Sequence, residues 1–163
     1  VESLNLYDEL CKEMDKEEAF QRVLAGSRDH ARTPMQWNSE AFAGFSTVEP
    51  WIMMDDDYKR CNVETQLQDE NSILRFYQKL IAFRKEYPVI HYGDVIFTNK
   101  KKKDMFTYYR KDEKEMLYIE INLSTQNKKR KHNPKGSLLL SNYLADSPSH
   151  LRPYEANIWK IEN

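Results

Sequence analysis

The segment SRDHARTPMQWN, Ser27 to Asn38, gathers the side chains of this chain best suited to chemistry. Two arginines, an aspartate and a histidine precede Pro34-Met35-Gln36-Trp37, in an order with neither helical nor strand period. An arginine in such a loop can present its guanidinium fork, with five donors, to hydroxyls or carboxylates. Pro34 biases Thr33 towards an extended backbone. Trp37, Phe45 and Trp51 are of a type that either anchors a loop or stacks on a sugar ring. From the residues alone, a structural anchor and a ligand site both stay open.

The remaining reactive groups are scattered. His30, His91, His132 and His150 form no HExxH pattern, and Cys11 and Cys61 sit in no CxxC setting. The two thiols read as free cysteines of a reducing compartment. Asp55-Asp56-Asp57 lacks the alternating spacing that wraps a calcium ion and reads as a solvated acidic turn. With four glycines in 163 residues there is no GxGxxG, P-loop or GxSxG. No metal and no cofactor is implied. The basic tracts Lys100 to Lys103 and Lys128 to Lys131 contain no aromatic on which a base could stack, and read as solvated hairpin tips. Net charge is −1, so no nucleic-acid partner is expected, and no apolar run approaches the ~18 residues of a membrane span. Hydrophobic residues are 40% and charged residues 31%, which predicts a thin core.

Three zones must position these groups. Leu6, Leu10 and Met14, with Tyr7 and Cys11, predict a helix near residues 3–15, and a second short helix over Lys16 to Leu24. Ala25 to Asp69 shows no period, and so long an irregular stretch is usually functional or held by a larger surface. Ile73, Phe76, Tyr77, Leu80 and Ile81 then recur at helical spacing, with Asn71 or Ser72 as cap, Leu74 and Phe83 widening the apolar face, and Pro88 as stop. This predicts a core-facing helix that needs a sizeable partner surface. From Tyr92 onward, DVIFT, MFTYYR, MLYIEINLS, GSLLLSN and EANIWKI read as about five strands of an antiparallel sheet or sandwich. Phe97, Phe106, Tyr108, Leu117, Ile119, Ile121, Leu139 and Trp159 are its expected buried side chains, with Leu117, Ile119, Ile121 and Leu123 on one face of their strand.

The blocks SRDHARTPMQWN, AGFSTVEPWI, DYKRCNVETQLQDENSILRFYQKLIAFRKEYPVIHYGD and LRPYEANIWKI, in that order, resemble the C-terminal part of glycoside hydrolase family 13. The similarity is greatest to the oligo-1,6-glucosidase, isomaltase, dextran glucosidase and trehalose-6-phosphate hydrolase group. Ser124 to Lys135 carries no recognisable family pattern. The resemblance implies an α+β fragment. Residues 1–91 would be the tail of a (β/α)₈ barrel, namely the excursion after strand eight and then helix eight. Residues 92–163 would be a C-terminal antiparallel β domain.

Family chemistry is retaining hydrolysis of an α-glucosidic bond by two carboxylates ~5 Å apart. Their signatures are absent from this chain, so it implies no catalytic residue here and an inactive isolated chain. What it leaves is binding: Arg32 matches the arginine that reaches the non-reducing glucose, and Arg28 matches a second motif position, where an Arg28–Asp29 structural pair is an equal reading. Gln36 and Trp37 read as structural. The expected partner is a glucosyl substrate in the intact parent, the expected location cytoplasmic, and the expected assembly of the isolated chain a homodimer through residues 73–81. Two readings from other classes stand beside it: a non-catalytic relative of the transporter heavy-chain type, and a stand-alone β module that binds carbohydrate or protein. The retained arginine of RTPMQW favours the enzyme.

Overall fold

The computed structural model describes residues 2–28, 31–98, 103–130, 134–144 and 149–162. Asp29, His30, Lys131, His132 and Lys100 to Lys102 of the sequence reading lie outside the described residues. The chain forms two compact units, Val1–Arg75 and Phe76–Asn163.

In the first unit, α1 (Glu2–Leu10) and α2 (Lys16–Gly26) are joined at Asp15, whose carboxylate accepts from the N–H groups of Glu17 at 2.8 Å and Glu18 at 3.3 Å. This cap satisfies two of the free donors at the start of α2. The predicted first helix ends earlier than expected, and Cys11 and Met14 fall in turns beyond it. Among the described residues, the long irregular stretch includes a left-handed turn at Ala41–Gly44, a 3-10 turn at Asp56–Lys59 and a short helix α3 (Val63–Gln68). Helix α3 is started by a capping box: Asn62 Oδ1 accepts from Thr65 N, and Thr65 Oγ1 accepts from Asn62 N.

Helix α4 (Ile73–Glu86) lies where its periodicity puts it. Ser72 caps it, accepting from Arg75 N at 3.2 Å and donating to Gln66 O at 2.6 Å. Its apolar stripe is only partly covered, with Phe76 and Leu80 half-buried. Ile73, Tyr77 and Ile81 are 73%, 60% and 54% exposed, and the side chain that α4 buries is Phe83. The core of the second unit accepts the side carrying Phe83. After Glu86 the chain does not leave helical structure entirely. Pro88 opens one further turn, α5 (Val89–Tyr92), which buries Val89.

The strands are β1 (Asp94–Phe97), β2 (Met105–Lys111), β3 (Met116–Asn122), β4 (Lys128–Lys129), β5 (Gly136–Ser141), β6 (His150–Leu151) and β7 (Ala156–Ile161). Five form an antiparallel sheet in the order β1-β2-β3-β7-β5, and β4 pairs with β6 separately. One face of the large sheet carries Leu117, Ile119, Ile121, Tyr108 and Ile158, packed with Phe83, Tyr87, Val89 and Ile90. Arg110 fastens α5 to β2 by donating to the carbonyls of Val89 and Ile90 at 3.2 and 2.5 Å. Gly136 has no room for a side chain: a Cβ there would collide with the carbonyl of Lys160 on β7.

Leu117, Ile119 and Trp159 are buried as expected, and Tyr108, Ile121 and Leu139 are half-buried. Phe97 and Phe106 are not core residues but 46% and 41% exposed. β1 is an edge strand, and these two rings lean on each other at 5.6 Å and on Tyr108, at the open corner of the sheet. Leu123 lies past the end of β3 and is exposed.

The basic tract at Lys128 is not a solvated tip. Lys128 and Lys129 form β4, Lys128 pairs with Asp104 at 2.7 Å, and Arg130 is buried. Arg130 meets Glu120 on the second face of the sheet, beside Trp159, and Glu120 Oε1 also accepts from Asn157 Nδ2 at 3.2 Å and Trp159 Nε1 at 3.0 Å. Burial raises the Glu120 carboxyl above its ordinary value against the opposing pull of Arg130 and the two donors. Burial and the charge of Glu120 push the neighbouring Tyr118 phenol up to about 12.

Candidate functional site

Arg28 and Arg32 are both on the surface of the first unit. Among the described residues, Arg32 makes no ion pair and no side-chain hydrogen bond, so its guanidinium is available to a ligand. The residues that follow it are fixed. Pro34 is buried, and the main chain from Gln36 to Asn38 is held from both sides. On one side, Gln36 O and Trp37 O accept from Val63 N and Glu64 N, each at 3.0 Å, which ties the segment to the first turn of α3. On the other, Trp37 N and Asn38 N donate to Ala43 O at 2.9 and 3.2 Å. Gln36 Nε2 adds a bond of 2.8 Å to Asp57 Oδ1.

The second anchor is a left-handed turn. Phe42, Ala43 and Gly44 have φ of 51°, 53° and 64°, a region that glycine enters freely and other residues rarely. At Gly44 a Cβ would lie 2.7 Å from the Asn38 side chain, so glycine is required for space as well. The buried Asn62 completes the frame by donating to Tyr58 O at 2.8 Å while it caps α3. Asp57, read from the sequence as part of a solvated acidic turn, is instead half-buried and bonded to Gln36, and Asn62 was not singled out at all. The Asn62-Val63-Glu64-Thr65 order carried a capping-box signal; nothing local marked Asp57 as the partner of Gln36.

An open cleft of about 310 Å³ lies along this segment, lined by Thr33, Pro34, Gln36, Asp55, Asp57 and Asn62 among others. Its two carboxylates are engaged in the loop: Asp57 holds Gln36, and Asp55 accepts from Asp57 N at 3.4 Å. The aromatic side chains are presented outward, with Trp37 and Phe45 half exposed and Trp51 95% exposed. Such a surface can bind and stack. Among the described residues no group of three or more histidine, cysteine or acidic side chains could hold a metal ion.

Residues 5–93 match the family model described as the α-amylase catalytic domain, which is over half of the chain. The chain belongs to the α-amylase family, glycoside hydrolase family 13. Within it, the chain is 41% identical over 140 residues to an α-glucosidase of Candida albicans, covering 83% of this chain and 25% of that protein. It is 34% identical over 174 residues to the oligo-1,6-glucosidase of Parageobacillus thermoglucosidasius, covering 99% of this chain and 31% of that one. Its structure is similar to part of trehalose-6-phosphate hydrolase from Bacillus licheniformis, with a TM-score of 0.89 and 31% identity over 100% of this chain and 32% of that chain. This α-amylase-family chain thus spans less than a third of the length of these relatives.

Proposed function

We propose that the chain is the C-terminal part of a retaining α-glucosidase acting on α-1,6-linked or related gluco-oligosaccharides. In this reading residues 1–91 are the end of the barrel and residues 92–163 its β domain. The family match ends at residue 93, immediately before β1, which supports that division. Arg32, together with Arg28, contributes to binding the non-reducing glucose, where a guanidinium fork suits vicinal hydroxyls.

The observation that carries the proposal is the hydrogen-bonded seating of Gln36 to Asn38 a few residues after Arg32, which among the described residues makes no ion pair. A binding arginine gains from such support, because less freedom is lost when the ligand arrives. The two carboxylates that break the glycosidic bond belong to the rest of the parent, so the isolated chain is inactive. The parent is cytoplasmic in this reading, and among the described residues no helix is long and apolar enough to cross a membrane. Free of the rest of the parent, the chain forms a two-fold dimer through residues 73–81, driven by the bare stripe of Ile73, Tyr77 and Ile81.

The test is hydrolysis of nitrophenyl α-glucoside and isomaltose by rigorously purified chain. No turnover is expected. Turnover free of host glucosidase would place the catalytic carboxylates within these residues and overturn the proposal.

A further inference from the structure

We propose that one end of the large β sheet is a docking surface for an anionic lipid bilayer. Lysines of two basic tracts meet the headgroups there, and exposed apolar side chains beside them enter the interface. The whole-chain charge of −1 gives no sign of such a partner, because it averages over regions of opposite sign. The match to the catalytic-domain model ends at residue 93, so neither tract belongs to it. No residue of the proposed sugar-binding segment takes part.

The register of the sheet sends three connections to the same end. Met105 pairs with Asn122, Ile121 with Ala156 and Ser141 with Asn157, so the connections after β1, β3 and β5 meet there. Thr98 N donates to Thr107 O at 3.1 Å and closes the first. The buried Asn122 ties the second to the segment before β7, with Nδ2 donating to Gln126 O and to Arg152 O, each at 2.7 Å. Asn142 ties the third to the same segment by donating to Tyr154 O at 2.9 Å. The basic tracts lie on the first connection and on β4, and the fold sets them side by side. Leu123 N donates to Asp104 O at 2.8 Å, and Lys128 reaches the Asp104 carboxylate at 2.7 Å. A cleft of about 310 Å³ between them is lined by Lys103, Asp104, Met105, Lys128 and Lys129.

Charge and apolar exposure together choose the partner. Residues 100–104 and 128–131 carry eight basic side chains and one acid. Arg130 is turned inward to Glu120, which leaves seven lysines. The third connection adds one acid, Asp146. At the opposite end of the sheet the β2–β3 turn, Asp112-Glu113-Lys114-Glu115, is net acidic. A cluster of lysines of this size draws a protein to anionic headgroups. Lysine is a hydrated point charge without the planar fork that reads a base edge, which argues against a nucleic acid. Leu144 is 90% exposed at the end of the third connection, and Leu123 and Tyr154 are exposed beside it in the other two segments. A soluble polyanion has no use for exposed leucines. A bilayer interface takes both kinds of side chain, with leucine and tyrosine at the boundary of headgroup and acyl chain and lysine above it.

The experiment is flotation of the full chain with vesicles of phosphatidylcholine, alone or mixed with phosphatidylserine, with the strand content of every variant checked by circular dichroism. Binding to the mixed vesicles is expected to be at least about tenfold tighter than to the neutral ones. It should be lost when salt rises from about 0.1 M to about 1 M, where the screening length falls to about 3 Å. Lys103→Glu with Lys129→Glu should weaken it at least roughly tenfold. The same change of charge at the opposite end, Lys111→Glu with Lys114→Glu, should leave it within about twofold, since those side chains stand more than a screening length away. Leu123→Ser with Leu144→Ser should weaken it roughly fivefold and keep its salt dependence. No preference for the anionic vesicles, or equal losses from the two lysine pairs, would overturn the inference. Retention on immobilised inorganic polyphosphate that matches the vesicle binding and ignores the leucine changes would mark a site for any polyanion and overturn it as well.

Discussion

Arg130 Nη2 donates to Glu120 Oε1 at 2.8 Å, with each side chain only 2% exposed. One partner comes from the middle of β3 and the other from the basic run after β4, which the sequence presents as soluble turn. Removing one member of a buried pair leaves the other charged and unsolvated. Arg130→Met is therefore expected to cost about 3–5 kcal/mol near neutral pH, read from urea unfolding of the β-domain signal. The pH dependence has a definite sign. Glu120 already titrates above its ordinary value through burial, and losing Arg130 raises it further. A carboxyl raised in the folded state favours folding when protonated. The deficit of Arg130→Met should thus shrink as pH falls through the folded value, and an unchanged deficit at pH 4 and pH 8 would contradict this account.

Glu155 gives the opposite slope. Burial alone would raise it, but Arg152, bonded through its guanidinium and its backbone N–H at 2.8 Å each, and Asn157 outweigh that and hold it below its ordinary value. Its contribution is present above the unfolded value and lost as pH falls through the folded one. Glu155→Gln should cost about 1–3 kcal/mol at pH 7. The difference should close in acid, as measured by urea midpoints across the pH range.

The exposure pattern separates two phenylalanines. Phe83→Ala is expected to cost about 3–5 kcal/mol, because it opens a cavity beside Val89, Leu117 and Ile119. Phe106→Ala, at the open corner of the sheet, should cost well under half of that. Equal losses in thermal unfolding would mean that the corner is covered.

Much of this was legible in the sequence. Helix α4 and the five main strands follow from apolar period, the Ser72 cap and Pro88. The two-residue strands β4 and β6 have no period to read, and nothing local says that one cation in a basic run will turn inward to Glu120. The stripe at Ile73, Tyr77 and Ile81 was visible as apolar, but spacing tells which side chains share a face and not what covers them. In the candidate site, Arg28 and Arg32 were visible by type and resemblance. The support at Ala43 comes from a left-handed turn nearby in sequence, but those at Asp57, Val63 and Glu64 come from segments farther along the chain, and only the fold brings them to Gln36 and Trp37.

The stripe on α4 makes its own prediction. Sedimentation at micromolar concentration should show a dimer of the isolated chain, and Tyr77→Asp with Ile81→Asp should convert it to monomer without loss of strand content. A wild-type monomer would show that the exposed stripe is tolerated in water.

The most direct test of the central claim is a chimera in which this chain replaces the aligned segment of the Parageobacillus thermoglucosidasius oligo-1,6-glucosidase, assayed on isomaltose and nitrophenyl α-glucoside. The account predicts hydrolysis by the chimera, none by the chain alone, and a fall in kcat/KM on the order of 100-fold for Arg32→Ala in the chimera, the size expected when a charge-assisted contact to the sugar is lost. A folded chimera that does not hydrolyse either substrate, or one in which Arg32→Ala keeps full activity, would contradict it.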